Sequence, residues 1–241
     1  MSTINKEEIQ KFSNLAEEWW DEKGKFKPLH MFNPTRIEYI LEKTKQHFNL
    51  QNKGNNFLEN LQILDIGCGG GLISEPLARL GGSVTGIDAS IKNIKVAQLH
   101  AKKSNLKISY LNKSPEQMNE YEKFDIILNL EIVEHVENVE LYINSCKKLL
   151  KKNGIMFTAT LNRTITSYIK AIIGAEYVLR WLPVGTHDWN KFLKPKEIEK
   201  IITGLNFSVQ EVKGLKFYPF TQKWKRSDDL SVNYIITSIK G

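Results

Sequence analysis

Residues 62–72 read QILDIGCGGGL. The apolar run Ile63, Leu64 and Ile66 breaks into Gly67, Gly69, Gly70 and Gly71, and helical spacing then resumes, which predicts a buried strand, a glycine turn and a helix start. Glycine suits such a turn because the backbone takes positive φ and a ligand can approach with no Cβ in the way, while the helix behind presents free N–H groups. The stretch therefore reads as a nucleotide-cradling turn. A dinucleotide fits it poorly: the third glycine of G-x-G-x-x-G falls on Leu72 counted from Gly67, and on Ser74 counted from Gly69. Asp65, two residues before the first glycine, would repel a pyrophosphate but welcome an ammonium or amide group.

S-adenosylmethionine, which carries an ammonium and a sulfonium and no phosphate, meets these demands, and D-x-G-C-G-x-G at a strand end resembles motif I of the class I methyltransferases. Asp65, Gly67, Gly69 and Gly71 are thus candidate cofactor contacts. Residues 84–87 read as the next strand and end in Asp88, placed to accept hydrogen bonds from ribose hydroxyls. Asp88 supports an adenosine site without choosing between the two cofactors, and it argues against a glycine turn that is merely tight.

The 241 residues are 41% hydrophobic and 25% charged, as in an ordinary globular chain with one sizeable core. Two cysteines, Cys68 and Cys146, are too few for a disulfide framework or a zinc ribbon and suggest a reducing cytoplasm. No run is long and apolar enough to span a bilayer, and the first residues lack the plan of a signal or transit peptide. The net charge of +7 comes largely from scattered lysine, without a basic stripe interleaved with aromatics, so nucleic acid is not an expected partner.

Outward from the glycine turn, strands are expected at 62–66, 83–87, 107–111, 124–130 and 155–161, with helices at 72–80, 91–104 and 137–151. Such alternation implies a parallel sheet with helices on both faces and a ligand at the carboxyl ends of the strands. Residues 114–118 should then face the adenine. Residues 195–203 form a short helix, and 206–213 and 231–239 read as closing strands. Before the turn, Ile9, Phe12, Leu15, Ala16, Trp19 and Trp20 mark an amphipathic helix over 4–20, and residues 25–32 read as a connector. Asn33 and Pro34 would open a second helix that carries Arg36, a candidate for the ligand carboxylate. Residues 49–60 look like a tolerated polar loop. The division implied is 1–60 for N-terminal helices and 61–241 for the main domain.

Leu130, Glu131, Ile132, Val133, Glu134 and His135 leave the fourth strand beside the cofactor. Two carboxylates and an imidazole so close in sequence can form a divalent-metal site, for which the oxygen-rich set would suit magnesium, or a general base held by a neighbouring acid. Alternatively, the two acids only charge a first helical turn. Residues 165–183 are apolar apart from Lys170, Glu176 and Arg180, which predicts a lid or an interfacial helix within a cap segment at 165–190. His187 and Asp188 are a possible base pair in the following turn.

The motifs NPTR, LDIGCGGG, TGID, LEIVEHV, TLNRT, GAEYVLRWLPVGTHDW, KFLKP and VNY cover nearly the whole chain, and together they resemble the ubiquinone-biosynthesis O-methyltransferase family. The resemblance implies a Rossmann-like class I α/β fold with a mostly parallel seven-stranded sheet, an N-terminal helical extension and an inserted cap. It implies methylation of polyprenyl-substituted phenols, namely a 2-polyprenyl-6-hydroxyphenol and 3-demethylubiquinol. It also implies S-adenosylmethionine contacts at Arg36, Gly67, Asp88 and Leu130, and magnesium at Glu131, Glu134 and His135. A polyprenyl substrate suggests a peripheral site on the inner membrane face and membership of a quinone-biosynthesis complex. The rival readings are a methyltransferase for a soluble phenol or amine, which the apolar 165–183 segment disfavours, and a non-catalytic cofactor-binding scaffold, which the intact acids disfavour.

Overall fold

A computed structural model describes residues 3–5, 9–10, 13, 15–50, 54–169 and 188–241. Helix α1 (Lys27–His47) precedes β1 (Gln62–Ile66), α2 (Ser74–Arg79), β2 (Ser83–Ile87), α3 (Ile91–Lys103), β3 (Ser109–Leu111), β4 (Phe124–Leu130), α4 (Val139–Leu149) and β5 (Leu150–Leu161). Then come α5 (Pro195–Gly204), β6 (Phe207–Tyr218), β7 (Lys223–Ser227) and β8 (Asn233–Lys240). The strands make one sheet in the order β3-β2-β1-β4-β5-β8-β6-β7. The first five are parallel, while β8 runs antiparallel between β5 and β6, and β7 pairs antiparallel with β6.

The expected α/β architecture is present, but the sheet has eight strands where seven were expected. The additional strand is β7, whose sequence Lys-Trp-Lys-Arg-Ser holds one apolar side chain. As an edge strand it needs one packed residue and a partner ladder, so no apolar run announces it. Its partner β6 correspondingly runs on to Tyr218, beyond the expected end at 213.

Neighbouring residues of one strand serve opposite faces, as the pleat requires. Leu64, Ile127 and Met156 pack with Tyr142, Ile143 and Cys146 of α4 and Ile198 and Ile202 of α5. Ile63, Ile126, Ile155 and Phe157 pack on the other face with Phe32, Tyr39 and Ile40 of α1 and Leu77 of α2. Each such aliphatic or aromatic side chain contributes about 1.5–3 kcal/mol when fully buried. The Tyr39 hydroxyl also lies 2.8 Å from both Thr237 Oγ1 and Glu211 Oε2, tying α1 across the sheet.

Three expectations about the first sixty residues change. The second helix starts at Lys27 and runs through Pro34, so Asn33 is no cap and residues 27–32 are no connector. Tertiary packing overrides the local signal here, with the Phe32 ring 4.2 Å from that of Trp224 and Thr35 Oγ1 donating to Trp224 O at 3.0 Å. The polar stretch before β1 is not all a loose loop, since Leu58 is fully buried and its N–H donates to Leu80 O at 3.0 Å. Of the expected 4–20 helix, Ile9, Gln10 and Ser13 are helical and Ala16–Glu18 form a 3-10 turn.

Candidate active site

Register sets the site. Ile66 pairs with Ile87 on one side and Asn129 on the other, so Gly67, Asp88 and Glu131 leave the sheet along one carboxyl edge. The chain builds β1, β2 and β3 in one direction and then crosses to β4 on the far side of β1, which makes this edge the switch point where open α/β sheets bind ligands.

Gly67 and Cys68 donate their N–H groups to Ile87 O at 2.8 and 3.0 Å. Gly67 has φ +68°, and a Cβ there would stand 2.0 Å from Ile132 Cδ1, so the turn is shaped for glycine both by conformation and by contact. Gly69 donates to Asp88 Oδ2 at 3.0 Å, while Asp88 Oδ1 accepts from Ser90 N at 2.7 Å and Asn93 Nδ2 at 3.3 Å. These bonds fix the carboxylate at the cavity wall. Burial pushes its pKa up, and the bonds from Ser90, Gly69 and Asn93 oppose the rise.

Asp65 shares its sheet face with Ile63 and therefore points toward α1. It is buried, and its Oδ2 accepts from Ser74 Oγ at 2.6 Å. Burial pushes its pKa up to about 6, against the lowering effects of Ser74 and the Arg36 cation. Arg36 is only 2% exposed; its Nη1 donates to Glu131 Oε1 at 3.1 Å, its Nη2 donates to Asn33 Oδ1 at 2.5 Å, and its Nε has no partner among the described residues. Burial lowers the Arg36 pKa, and Glu131, Asp65 and Glu134 oppose that.

At the exit of β4, Glu131 takes φ +59° while its N–H donates to Ala159 O at 2.9 Å. A non-glycine residue held in the left-handed region costs about 1–3 kcal/mol, and such strain clusters at active sites and ligand clamps. Glu134 lies in the 3-10 turn Val133–His135 and is 3% exposed, with its carboxyl beside Thr160 and Glu131. Burial, and then the nearby Glu131 charge, push its pKa well up. His135 lines the same cavity.

The structure does not gather the expected magnesium ligands. Among the described residues no group of three His, Cys, Asp or Glu side chains could hold a metal ion, and Glu131, Glu134 and His135 are no exception. The physical reason is that Glu131 is turned to the Arg36 guanidinium, which already supplies the cation beside it. Asp188 caps the turn Trp189–Lys191 through Asn190 N at 3.0 Å. His187, and with it the expected His187–Asp188 pair, lies outside the described residues, as do residues 170–187 of the expected lid. No helix among the described residues is long and apolar enough to cross a membrane.

The N-terminal aromatics were legible as a helical stripe, but not what they cover. Trp19 Nε1 donates to Asn93 Oδ1 at 3.0 Å, and a Cβ on Gly69 would stand 2.4 Å from the Trp19 ring and one on Gly70 2.4 Å from Trp19 Cβ. Trp20 Nε1 donates to Gly70 O at 2.9 Å and its ring stacks on His100 at 3.4 Å. Both tryptophans thus brace the glycine turn. Behind it opens a cavity of about 1250 Å³, whose lining includes Asp65, Gly67, Asp88, Ser114, Leu130 and Glu134 and also Leu215, Phe217 and Trp224. Ligand pockets run to roughly 300–1,000 Å³, so this one has room for two ligands side by side.

Residues 64–158 match a family of methyltransferase domains. Among solved structures, the fold is similar to the magnesium protoporphyrin IX methyltransferase of Synechocystis PCC 6803 with bound S-adenosylmethionine. That likeness has a TM-score of 0.65 and 16% identity, and it covers 100% of both chains. The plantazolicin methyltransferase BpumL, solved with a triazolic desmethylPZN analogue and SAH, is also similar, with a TM-score of 0.64, 19% identity, and coverage of 98% of this chain and 100% of that one. Among curated relatives, the ubiquinone biosynthesis O-methyltransferase of Pelagibacter ubique is 57% identical over 240 residues, covering 100% of each chain. That of Bartonella tribocorum is 51% identical over 236 residues, covering 98% of this chain and 96% of its own. At such identity over the whole length, the chain belongs to the ubiquinone biosynthesis O-methyltransferase family.

Proposed function

We propose that the cavity holds S-adenosylmethionine against the glycine turn and receives the phenolic ring of a polyprenyl-substituted catechol beside Glu131, Glu134 and His135. The observation that carries this reading is one cavity lined by the glycine turn, Asp65, Asp88, Glu131, Glu134 and His135 as well as by Leu215, Phe217 and Trp224, into which Arg36 brings an Nε with no hydrogen-bond partner among the described residues. The unpaired Arg36 donor suits a carboxylate, Asp65 an ammonium and Ser114 a base edge, while the apolar lining residues Leu215, Phe217 and Trp224 suit a ring and the first prenyl units.

S-adenosylmethionine, when bound, supplies a methyl group already activated by its sulfonium. What remains for the chain is to align the hydroxyl, exclude water and remove a proton. Asp88 and the glycine turn position the adenosine, Trp19 and Trp20 hold that turn in shape, and a hydroxyl beside Glu131, Glu134 and His135 meets the His135 imidazole as the group that can take its proton, while burial favours the protonated form of Glu134 and Arg36 holds Glu131. No step is routed through a metal. A polyprenyl tail favours the bilayer by about 0.8 kcal/mol per buried methylene, so the reading also includes peripheral contact with a membrane surface.

Calorimetry should show S-adenosylmethionine binding and no NAD binding, and product mass should show one methyl group added to a polyprenyl catechol. Asp88→Ala is expected to weaken the cofactor roughly ten- to a hundredfold, the worth of about 1.5–3 kcal/mol for bonds to a charged group. An unchanged dissociation constant would remove Asp88 from the site.

Asp65 gives this reading a pH dependence. Its folded-state pKa near 6 lies above the roughly 3.9 of an exposed aspartate, so between those values the folded protein holds more protons than the unfolded chain, and this group's contribution to stability falls as pH rises through that window. A ligand ammonium prefers the ionised carboxylate. Cofactor affinity is therefore expected to drop about tenfold per pH unit below 6, with proton uptake or release visible as buffer-dependent binding heat. Asp65→Asn should flatten that slope, and a wild-type slope in the variant would dissociate Asp65 from cofactor binding.

A further inference from the structure

We infer that Trp19 and Asn93 are positioning residues for ribose recognition, the N-terminal segment acting through the Asn93 amide to aim the Asp88 carboxylate at the cofactor; this rests on the cofactor part of the reading above. Trp19 Nε1 donates to Asn93 Oδ1 at 3.0 Å, and Asn93 Nδ2 donates to Asp88 Oδ1 at 3.3 Å. Asn93 is 2% exposed and Trp19 is 8% exposed, and both line the cavity that Asp88 lines. An indole can only donate and an ionised carboxylate can only accept, so the amide between them fits in one orientation.

The bonds at Asp88 show what this amide controls. Ser90 N at 2.7 Å and the Asn93 amide meet Oδ1, while Gly69 N at 3.0 Å meets Oδ2. A carboxylate offers about four acceptor sites, so Oδ2 keeps room for a ligand hydroxyl. The two donors at Oδ1 set the twist of the carboxyl group, and with it the direction in which Oδ2 meets that hydroxyl. Ser90 donates from the backbone beside the acid, whereas Asn93 links the acid to a segment far away in sequence.

Trp19 touches the supports of both oxygens. Its ring is pressed against Gly69, whose N–H holds Oδ2, and it is backed by Phe26, stacked 3.9 Å away. Ser13 Oγ lies 2.6 Å from Ser90 Oγ, a further tie between the N-terminal segment and the residues that hold the acid. A capping role at the start of α3 explains only part of this: the Asn93 N–H donates to Ser90 Oγ at 3.3 Å, but that bond uses the backbone and leaves both side-chain bonds to be explained. Trp19 lies outside residues 64–158, which match the methyltransferase domain family, so the relay brings a part of the chain beyond the shared domain to the ribose.

The probes are S-adenosylhomocysteine and its 2′,3′-dideoxy analogue, titrated by calorimetry with no methyl acceptor present. The wild type should bind the parent ligand about tenfold or more tighter, as expected of hydrogen bonds to a charged acceptor. Asn93→Ala should lower parent affinity about tenfold and dideoxy affinity less than about twofold. Trp19→Phe removes the indole N–H and keeps a ring, and it should lower parent affinity about threefold with the dideoxy ligand again unmoved. Asn93→Asp keeps an acceptor for the indole but sets a second carboxylate against Asp88, so its selective loss should be at least that of Asn93→Ala; these two variants carry the test if Asn93→Ala does not fold. Equal losses on both ligands would make Asn93 a structural cap and overturn the inference, as would wild-type preference for the parent in the Asn93 variants. Selective loss in Asn93→Ala beside a Trp19→Phe that matches the wild type would overturn the relay from the N-terminal segment. Asp88→Ala on the same ligand pair tells the failures apart. If it still preferred the parent, Asp88 would leave the ribose and the underlying reading would fall too; if it lost the preference while Asn93→Ala kept it, the inference alone would fall.

Discussion

Arg36→Met is expected to cost about 3–5 kcal/mol of folding stability, the range seen when one partner of a buried ion pair is removed. Arg36 is the cation facing Glu131, Asp65 and Glu134, all within one partly dry wall. Methionine keeps an aliphatic stem of similar length near the Phe32 ring, over which the guanidinium now lies at 4.3 Å, so the loss reports charge more than packing. Without the guanidinium, the pKa values of the neighbouring carboxylates rise, the folded variant takes up protons that the unfolded chain does not, and the deficit against wild type should shrink as pH falls. Urea unfolding at several pH values measures this. Adding Glu131→Gln should recover part of the loss, because the 3.1 Å contact then leaves no orphaned charge. A wild-type midpoint for Arg36→Met would mean that water, not Arg36, compensates the acids. Cofactor affinity should fall in the same variant, since the unpaired Nε is the donor assigned to the ligand carboxylate.

Gly67→Ala carries the second large effect. The residue sits at φ +68°, where a side chain costs about 1–2 kcal/mol. Its new methyl would meet Ile132 Cδ1 at 2.0 Å, and overpacking of this kind typically adds about 1–3 kcal/mol. The expected loss is therefore about 2–5 kcal/mol in stability. Ile132 belongs to the loop that also carries Glu131 and Glu134, so the displacement should reach the reacting groups and lower turnover beyond what stability explains. Pairing the change with Ile132→Ala should relieve the contact and leave the backbone strain. Thermal unfolding with cofactor calorimetry on the single and double variants separates the two parts. If Gly67→Ala unfolded and bound cofactor like the wild type, the turn could not have the conformation described.

Much of the site was legible because motif residues at strand ends are also neighbours in space. Gly67, Asp88 and Glu131 follow three adjacent parallel strands, and local pattern alone places each at a strand terminus. The alternation of apolar strands with helices likewise decides the α/β class, since period and length are local properties. Other features depend on contacts between residues far apart in the chain. Helix α1 runs through Asn33-Pro34 because Phe32 and Thr35 are held by Trp224, nearly two hundred residues away. The edge strand β7 exists because β6 offers a ladder, not because its own sequence is apolar.

The chemistry divides in the same way. By itself the sequence determines that an acid precedes a glycine turn, that a second acid ends the next strand, and that two carboxylates and an imidazole follow the fourth. Only the tertiary structure decides that Asp65 is buried under Ser74 and Arg36, that Glu131 pairs with Arg36, and that Glu134 is buried beside Glu131. Residue type and spacing state which charges are available. Burial and through-space partners, which no local pattern encodes, decide which of them are neutralised, which are raised in pKa, and which are left facing the cavity.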